Sequence, residues 1–404
     1  MTRIERSATR VKGFDNAEMD FQLLRMLGMT SYGGASIGEC LSLTTRIKNG
    51  DTDDWTREYA ALAQRLKDKA YSALAKGHTV TAKESLLRAC NYYRSAEYFC
   101  DPAKPEQREL GLLSRSCFIE AAKFFTTPVE VLEIPYETRW MPGYFIRPAN
   151  DRQKRKTVVI VTGFDGSGEE MYFQCAAGAL ERHYNVLIFE GPGQTGMLRL
   201  HPELKFRPDY EIPISYALDY VLSRDDVDAT RLAVYGISFG GYFVARGAAH
   251  DRRIKAVIPN SPIVDLHAYM LSFIGINKND LNEDVRLDEL DAIPDSAIPK
   301  MIKQGIRSGC YKFGTSTFLE FISKLESFRI GDALKNIICP SLVLAGEGEG
   351  DEALRQAYVY EKKVSGPVSK KIFTIQEGAD THCQLGNLAL SSSVVYDWLD
   401  DWFK

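Results

Sequence analysis

The sequence predicts an α/β fold: a mostly parallel β-sheet flanked by helices, behind an all-helical N-terminal segment. Three observations carry this reading. Up to about residue 127 only helical periodicity is present. From Val129 onward, short β-branched runs alternate with helical stretches, the pattern of strands joined by crossover helices. TVVIVT (157–162) and NVLIF (185–189) are almost unbroken apolar runs, as strands covered on both faces must be.

The elements follow in order. A first helix is expected over Asp20–Leu27 and a glycine-rich loop over Thr30–Gly38. Trp55, Tyr59, Leu62, Leu66 and Ala70 share one helix face, and Gly77 stops that run. Leu86, Cys90, Tyr93 and Ala96 define a second helix that ends before Asp101-Pro102. Leu113, Cys117 and Ala121 define a third, over about Glu106–Phe125. The pairing resembles a tetratricopeptide-like hairpin, but no repeat of fixed period is found.

Val129–Tyr136 and Gly143–Arg147 read as two strands around a turn at Pro142-Gly143. After the strand 157–162, Ser167 and Glu170 have the spacing of a capping box and start a helix. Beyond the strand 185–189, a helix is expected over about Ile214–Ser223, then the strand RLAVY (231–235) and a small-residue helix to His250. Ile254–Pro259, Pro340–Ala345 and Lys371–Ile375 complete the strands. Leu388–Trp402 closes the chain as an amphipathic helix with Val395, Trp398 and Trp402 inward. Val264–Ile338 lacks strand signals and reads as a helical insertion, with helix-like runs at Asn279–Leu290 and Ser316–Phe328. The expected organisation is an all-helical N-terminal segment over 1–127 and an α/β domain over 128–404, with the insertion at about 264–338.

Composition sets the class. The chain has 404 residues, 45% hydrophobic and 26% charged, ordinary for a globular protein with a sizeable core. A net charge of -4 gives no electrostatic footprint for nucleic acid or an anionic membrane, and neither partner is expected. No apolar run reaches bilayer length, and the polar start lacks the apolar region of a secretory signal. The eight cysteines include no C-x-x-C pair and read as buried thiols in a reducing, cytoplasmic setting. No Cys/His cluster suits a metal, and neither glycine-rich loop matches a phosphate-binding pattern. No metal or cofactor is therefore expected.

One motif carries chemistry. Gly236-Ile237-Ser238-Phe239-Gly240 follows the strand RLAVY and opens a helix. A strand reversing sharply into a helix forces its turn residue into strain, and flanking glycines relieve the crowding. The Ser238 hydroxyl is then presented at a helix N-terminus, where backbone N–H groups can hold an oxyanion. A serine needs a base. Of His78, His183, His201, His250, His267 and His382, only His382 lies after the last strand, in EGADTHCQ before the closing helix, where a Ser–acid–His order puts it. His201 and His267 read as polar-loop residues able to touch substrate. The acid belongs in the loop AGEGEGDE after PSLVLA, and either Glu349 or Asp351 can orient an imidazole. The Phe164 and Phe239 N–H groups are the expected oxyanion donors. Gly163 and Asp165 in the same loop face substrate, with turn-making or capping as the other role of Asp165.

GFDGSGEE, FEGPGQTG, YGISFGGY and GADTHCQ, in that order behind a helical segment, resemble the α/β-hydrolase superfamily over about residues 50–404. The branch is similar to the bacterial dihydroxypseudooxynicotine hydrolase group and the fungal yellowish-green pigment polyketide-shortening hydrolases. It is similar also to the esterases once named for the fermentation–respiration switch. In that architecture the acid of a G-x-x-D pattern falls on Glu349, though this loop departs from the plain pattern. The resemblance implies a homodimer with a helical cap over the active site. It implies C–C bond cleavage or ester hydrolysis on small aromatic or polyketide ketones. Transfer of the acyl group to an amine or hydroxyl, as in an acyltransferase or cyclase, is the alternative on the same scaffold. A scaffold protein without activity would lack the nucleophile or base, and both are present.

Overall fold

Five helices precede the first strand: α1 (Ala17–Gly28), α2 (Ile37–Leu43), α3 (Thr52–Leu74), α4 (Thr79–Phe99) and α5 (Pro105–Ala122). They are seen in a computed structural model that describes residues 6–275 and 285–404. α3 starts where the Asp51 carboxylate accepts the Asp53 and Asp54 N–H groups, at 3.0 and 3.1 Å. Its buried stripe of Trp55, Tyr59, Leu62, Leu66 and Ala70 faces α4, which packs in turn on α5. The Trp55 indole N–H is not wasted in that core: it donates to the Ser95 carbonyl at 3.1 Å.

Among the described residues the sheet has eight strands: β1 (Val129–Tyr136), β2 (Arg139–Ile146), β3 (Arg155–Val161), β4 (Asn185–Phe189), β5 (Val227–Ile237), β6 (Ala256–Asn260), β7 (Ser341–Gly346) and β8 (Val368–Phe373). Their order is β1-β2-β4-β3-β5-β6-β7-β8. β1–β2 and β2–β4 pair antiparallel, and every other pair is parallel. Succession along the chain reverses direction across the sheet at β3, between β4 and β5. That is a topological switch point, and crevices open there at the C-terminal strand ends.

The crossovers are short. α6 (Gly168–Met171) runs through a π-turn into α7 (Ala177–Glu181), and α8 (Thr195–Leu200) follows β4. α9 (Glu211–Leu222) and α10 (Gly240–His250) flank β5. α11 (Leu266–Ile274), α12 (Lys300–Phe313) and α13 (Phe318–Leu325) lie between β6 and β7. α14 (Asp351–Lys363) and α15 (Leu388–Trp402) complete the chain. No helix among the described residues is long and apolar enough to cross a membrane.

The central strands are buried on both faces, and alternate residues serve different cores. Val158, Ile160, Val186 and Ile188 pack with α1, α3, α4, α5 and α15. Val159, Val161, Leu187 and Phe189 pack with α9, α10, α12 and α13. The N-terminal helices thus share one continuous core with a face of the sheet. None of the eight cysteines, all among the described residues, is in a disulfide, and all but Cys339 are buried.

Several expectations need correction. Pro142 and Gly143 lie inside β2, not in a turn; the hairpin turns at Glu137-Thr138, with Glu137 at φ 47°. Gly143 is needed in the strand because a Cβ there would come 2.6 Å from the Ile188 carbonyl oxygen of β4. Of the run Asn279–Leu290, residues 279–284 lie outside the described residues, and 285–290 form a β-bridge and turns rather than a helix. α12 lies inside the stretch expected to be helical, but between the two runs singled out there. Trp402 is 46% exposed, because Leu399 and Phe403 take the inward positions at the end of α15.

A chain of buried ion pairs fastens the helical layer to the sheet. Glu169 and Glu170 sit in the first turn of α6, behind the Ser167–Glu170 capping box. Glu170 meets Arg25 of α1 at 2.8 Å and Arg94 of α4 at 3.0 Å. Glu169 meets Arg199 of α8 at 2.9 Å, and Arg199 also takes Glu97 of α4 through its Nε at 2.7 Å. Removing one partner from such a network strands the other charges away from water. Arg199→Ala is therefore expected to cost about 3–5 kcal/mol of unfolding free energy in urea titrations. Arg139→Ala, which breaks an exposed pair with Glu203, is expected to cost less than about 1 kcal/mol. Equal costs for the two variants would overturn this account of the docking.

Candidate active site

β5 passes into α10 through Gly236–Gly240, and Ser238 holds a left-handed backbone at φ 59°. Such strain persists only where the surroundings over-determine it. A side chain at Gly236 would strike the Gly240 carbonyl. Gly163, at the end of β3, is held as closely: a Cβ there would come 2.8 Å from both the Ser238 Cβ and the Phe239 nitrogen. The loop after β3 is thereby pressed against the serine turn, with Phe164 next in the chain.

His382 stands in the loop between β8 and α15. Its Nε2 lies 2.8 Å from the Ser238 Oγ, and its Nδ1 lies 2.5 Å from the Glu349 Oε2. Glu349 closes a turn after β7, where its Oε1 accepts the Gly346 N–H at 2.8 Å. Its Oε2 also accepts from the Ser261 Oγ at 2.5 Å and from the Tyr269 hydroxyl at 3.3 Å. The two acids left open by the sequence separate here. Glu349 reaches the imidazole and Asp351 does not. Beyond Gly350, at φ 88°, the chain has turned into α14, and Asp351 is an exposed residue of its first turn. There its charge faces the positive end of the helix dipole instead.

The imidazole loop is pinned from two sides. Gln384 and Asn260 exchange buried amide hydrogen bonds of 2.8 and 3.2 Å, tying the loop to the end of β6. From the other side, residues 6–9 run along the loop. The His382 N–H donates to the Arg6 carbonyl at 2.8 Å, and the Asp380 carboxylate accepts from the Ala8 and Thr9 N–H groups at 2.8 and 3.1 Å.

Over its full length the chain is also similar to known enzymes. It is 32% identical over 412 residues, 96% of this chain and 97% of the other, to hydrolase LUC6 of a Fusarium species. The chain belongs to the α/β-hydrolase family. This hydrolase is likewise 32% identical, over 97% of its own length and 98% of the other, to 20-hydroxy-prefusarin hydrolase FUS2 of Gibberella moniliformis. Residues 214–289 match the prolyl oligopeptidase family. Among solved structures, 2,6-dihydroxy-pseudo-oxynicotine hydrolase superposes with a TM-score of 0.72 at 21% identity, over 93% of this chain and 95% of that one. At that identity the likeness is one of fold.

Ser238 and His382 open into a cavity of about 230 Å³ between α4, α11, α12 and α13. Its walls are largely apolar, with Phe99, Met270, Phe273, Ile306 and Phe321 among them. Arg6, Arg94, Glu97, Asp165, Arg199 and Lys312 are among its polar parts. Asp165 lies 3.4 Å from Arg25 and 3.8 Å from Arg6. Burial alone would raise its pKa, but the charges of Arg25, Arg6, Arg94 and Lys312 outweigh that and hold it well below the usual carboxylate range.

Of the hydrolase's six histidines, only His382 lines this cavity. His267 is not in a loop: it is buried in α11, with Nε2 3.8 Å from Glu326. His201 ends α8 and meets the Trp140 ring edge-on, 4.8 Å between centroids. The sequence reading missed Ser261, Tyr269, Arg6 and Lys312. Ser261 follows the C-terminal end of β6, the sheet edge where ligand contacts gather, and that position was its one available signal.

The charges of the pair are coupled. Burial opposes ionisation of Glu349, but His382, Ser261 and the Gly346 N–H hold its pKa below the ordinary carboxylate value. Burial lowers the pKa of His382, yet Cys383 and Glu349 more than reverse this, and the net shift is upward. The imidazole proton is therefore bound more tightly than in a free histidine, whose pKa is about 6.5. Titration by NMR is expected to find His382 above that value in the wild type and lower in Glu349→Gln. An unchanged His382 pKa in the variant would show that the carboxylate does not set it.

Proposed function

We propose that this hydrolase works through a Ser238–His382–Glu349 triad and an acyl-enzyme. The observation that carries this reading is the unbroken hydrogen-bonded chain Ser238 Oγ–His382 Nε2 and His382 Nδ1–Glu349, opening on a mostly apolar cavity. As Ser238 attacks a carbonyl carbon, His382 takes the hydroxyl proton on Nε2. Glu349 holds the imidazolium through Nδ1–H. The Phe164 and Phe239 N–H groups take the oxyanion, a role supported by the packing of Gly163 against Ser238 and the Phe239 nitrogen. Collapse expels the leaving group, which receives the proton from Nε2–H. Water, deprotonated by the same nitrogen, then releases the acid and restores the serine.

The leaving group can be an alcohol or a stabilised carbanion, so ester hydrolysis and C–C cleavage of a β-diketone share every residue. We assign a small aromatic or polyketide-like substrate, with C–C cleavage or ester hydrolysis as the reaction. The apolar cavity and the full-length similarity to a prefusarin hydrolase support the substrate class. In this reading the helices before residue 128 and the insertion near 264–338 serve as cover over the site. Eight unbridged cysteines fit a cytoplasmic enzyme. A homodimer is the assembly carried over from the family resemblance, and light scattering in solution tests it.

A fluorophosphonate probe tests the nucleophile. Wild type is expected to form an adduct on Ser238 and Ser238→Ala none; equal labelling of both sinks the reading. Glu349→Gln is expected to lower kcat/KM by about 10²-fold or more, since a triad acid sets the tautomer and orientation of the base. Asp351→Asn is expected to change it less than about twofold, as befits an exposed helix-start charge. Comparable losses in both would remove Glu349 from the role. A panel of aryl β-diketones against aryl esters separates the two reactions, and preferential ester turnover counts against C–C cleavage.

A further inference from the structure

Among the described residues five cations line the cavity, the guanidiniums of Arg6, Arg94, Arg108 and Arg199 and the ammonium of Lys312, and the reaction above uses none of them. Lys312 is the penultimate residue of α12, 8% exposed, and lines the cavity wall beside Phe164 and Thr195. Its ammonium lies 5.6 Å from the centre of the Phe164 ring. Its one hydrogen bond among the described residues is a long one, 3.4 Å to the Thr195 Oγ1. The neighbouring guanidiniums are differently placed: Arg94 is paired with Glu97 and Glu170, and Arg199 with Glu97 and Glu169. Among the described residues no carboxylate lies within ion-pair distance of Lys312.

An ammonium carries three donors, and leaving them unmet away from water is costly. Here they face a largely apolar cavity. We propose that Lys312 binds an anionic oxygen of the ligand, so that the substrate of this hydrolase carries a carboxylate or an acidic enol. The inference rests on the reading that this cavity is the substrate site. Phe164 lies beside Gly163, which packs on Ser238, so the anion would sit near the reacting carbonyl without touching the serine. Burial, with Arg94 adding to it, lowers the Lys312 pKa to about 8, while Asp165, Glu97 and Glu190 oppose the shift. The side chain is still a cation at neutral pH, and a bound anion would stabilise it further.

The test is binding, which does not pass through Ser238. Affinities of 4-phenylbutyrate and its neutral amide are measured by calorimetry for wild type, Lys312→Met and Lys312→Arg at pH 7. Wild type is expected to bind the carboxylate at least about tenfold more tightly than the amide. Lys312→Met is expected to lose that preference while holding the amide within about twofold, and Lys312→Arg to retain most of the preference. Equal affinities for the two ligands in wild type, no binding of either, or a preference that survives in Lys312→Met would overturn the proposal. Should Lys312→Met lose both ligands, Lys312→Arg decides: a kept preference supports the site and a lost one overturns it. Failure of Ser238 as nucleophile would appear only in the fluorophosphonate labelling and leave these affinities unchanged.

Discussion

Two adjacent carboxylates taken out of water, Glu169 and Glu170, fix how this molecule is put together. Each has to meet cations, because an unpaired charge at 1% exposure would be untenable. The cations come from far apart in the chain: Arg25 on α1, Arg94 on α4 and Arg199 on α8. A helical layer held only by apolar contacts could slide or rotate at small cost, whereas paired and directional charges leave one register. That register sets where α4 lies over the sheet, and α4 supplies part of the cavity wall through Arg94, Glu97, Tyr98 and Phe99. The same carboxylates follow Gly163 and Phe164 by a few residues. One loop therefore anchors the helical layer and presses on the serine turn.

The rest of the site follows from the sheet edge. Strained Ser238 is kept in place by close backbone approaches that only glycine permits at Gly236 and Gly163. The imidazole loop is kept in place by core packing of Ala379, Cys383 and Leu385 and by polar bonds, through Asn260 on one side and residues 6–9 on the other. These constraints meet within one hydrogen-bond length at Ser238 and His382. Preorganisation of that kind is what lets backbone donors act on developing charge without reorganising.

What could be read from the sequence was what is local. The serine turn, the capping box at Ser167, the strand 185–189 and the closing helix each carry their signal within a few residues, and each lies where that signal put it. Features that depend on a partner distant in sequence could not be read. Gly143 resembles a turn residue until β4 is seen passing over it. α12 contains Gly305, Ser308 and Gly309, poor helix formers, and is held by burial of Ile306, Cys310 and Phe313 against other elements. The choice between Glu349 and Asp351 turns on where Gly350 redirects the chain, a matter of two residues that composition leaves open. The arginines facing Glu169 and Glu170 lie as much as 145 residues away in the chain, and no pattern marks them.

Chemistry and selectivity are thus built from different material. The groups proposed to react, Ser238, His382, Glu349 and the loop at Gly163, all stand at strand ends, where the fold itself sets their positions. The cavity walls come from α4 and from α11–α13, segments whose sequence the sheet does not constrain. Relatives that share the sheet can therefore share the reacting groups while differing in what they admit. A superposition at 21% identity shows the shared fold and is silent on both. For this chain the features proposed to discriminate are the apolar faces of α11–α13 and the buried Lys312 ammonium that α12 brings into the cavity. An apolar wall accepts many hydrocarbon shapes at similar cost, whereas a buried cation rejects ligands that leave it unmatched. In the proposed reading the wall sets the size of the substrate, and the charge sets its kind.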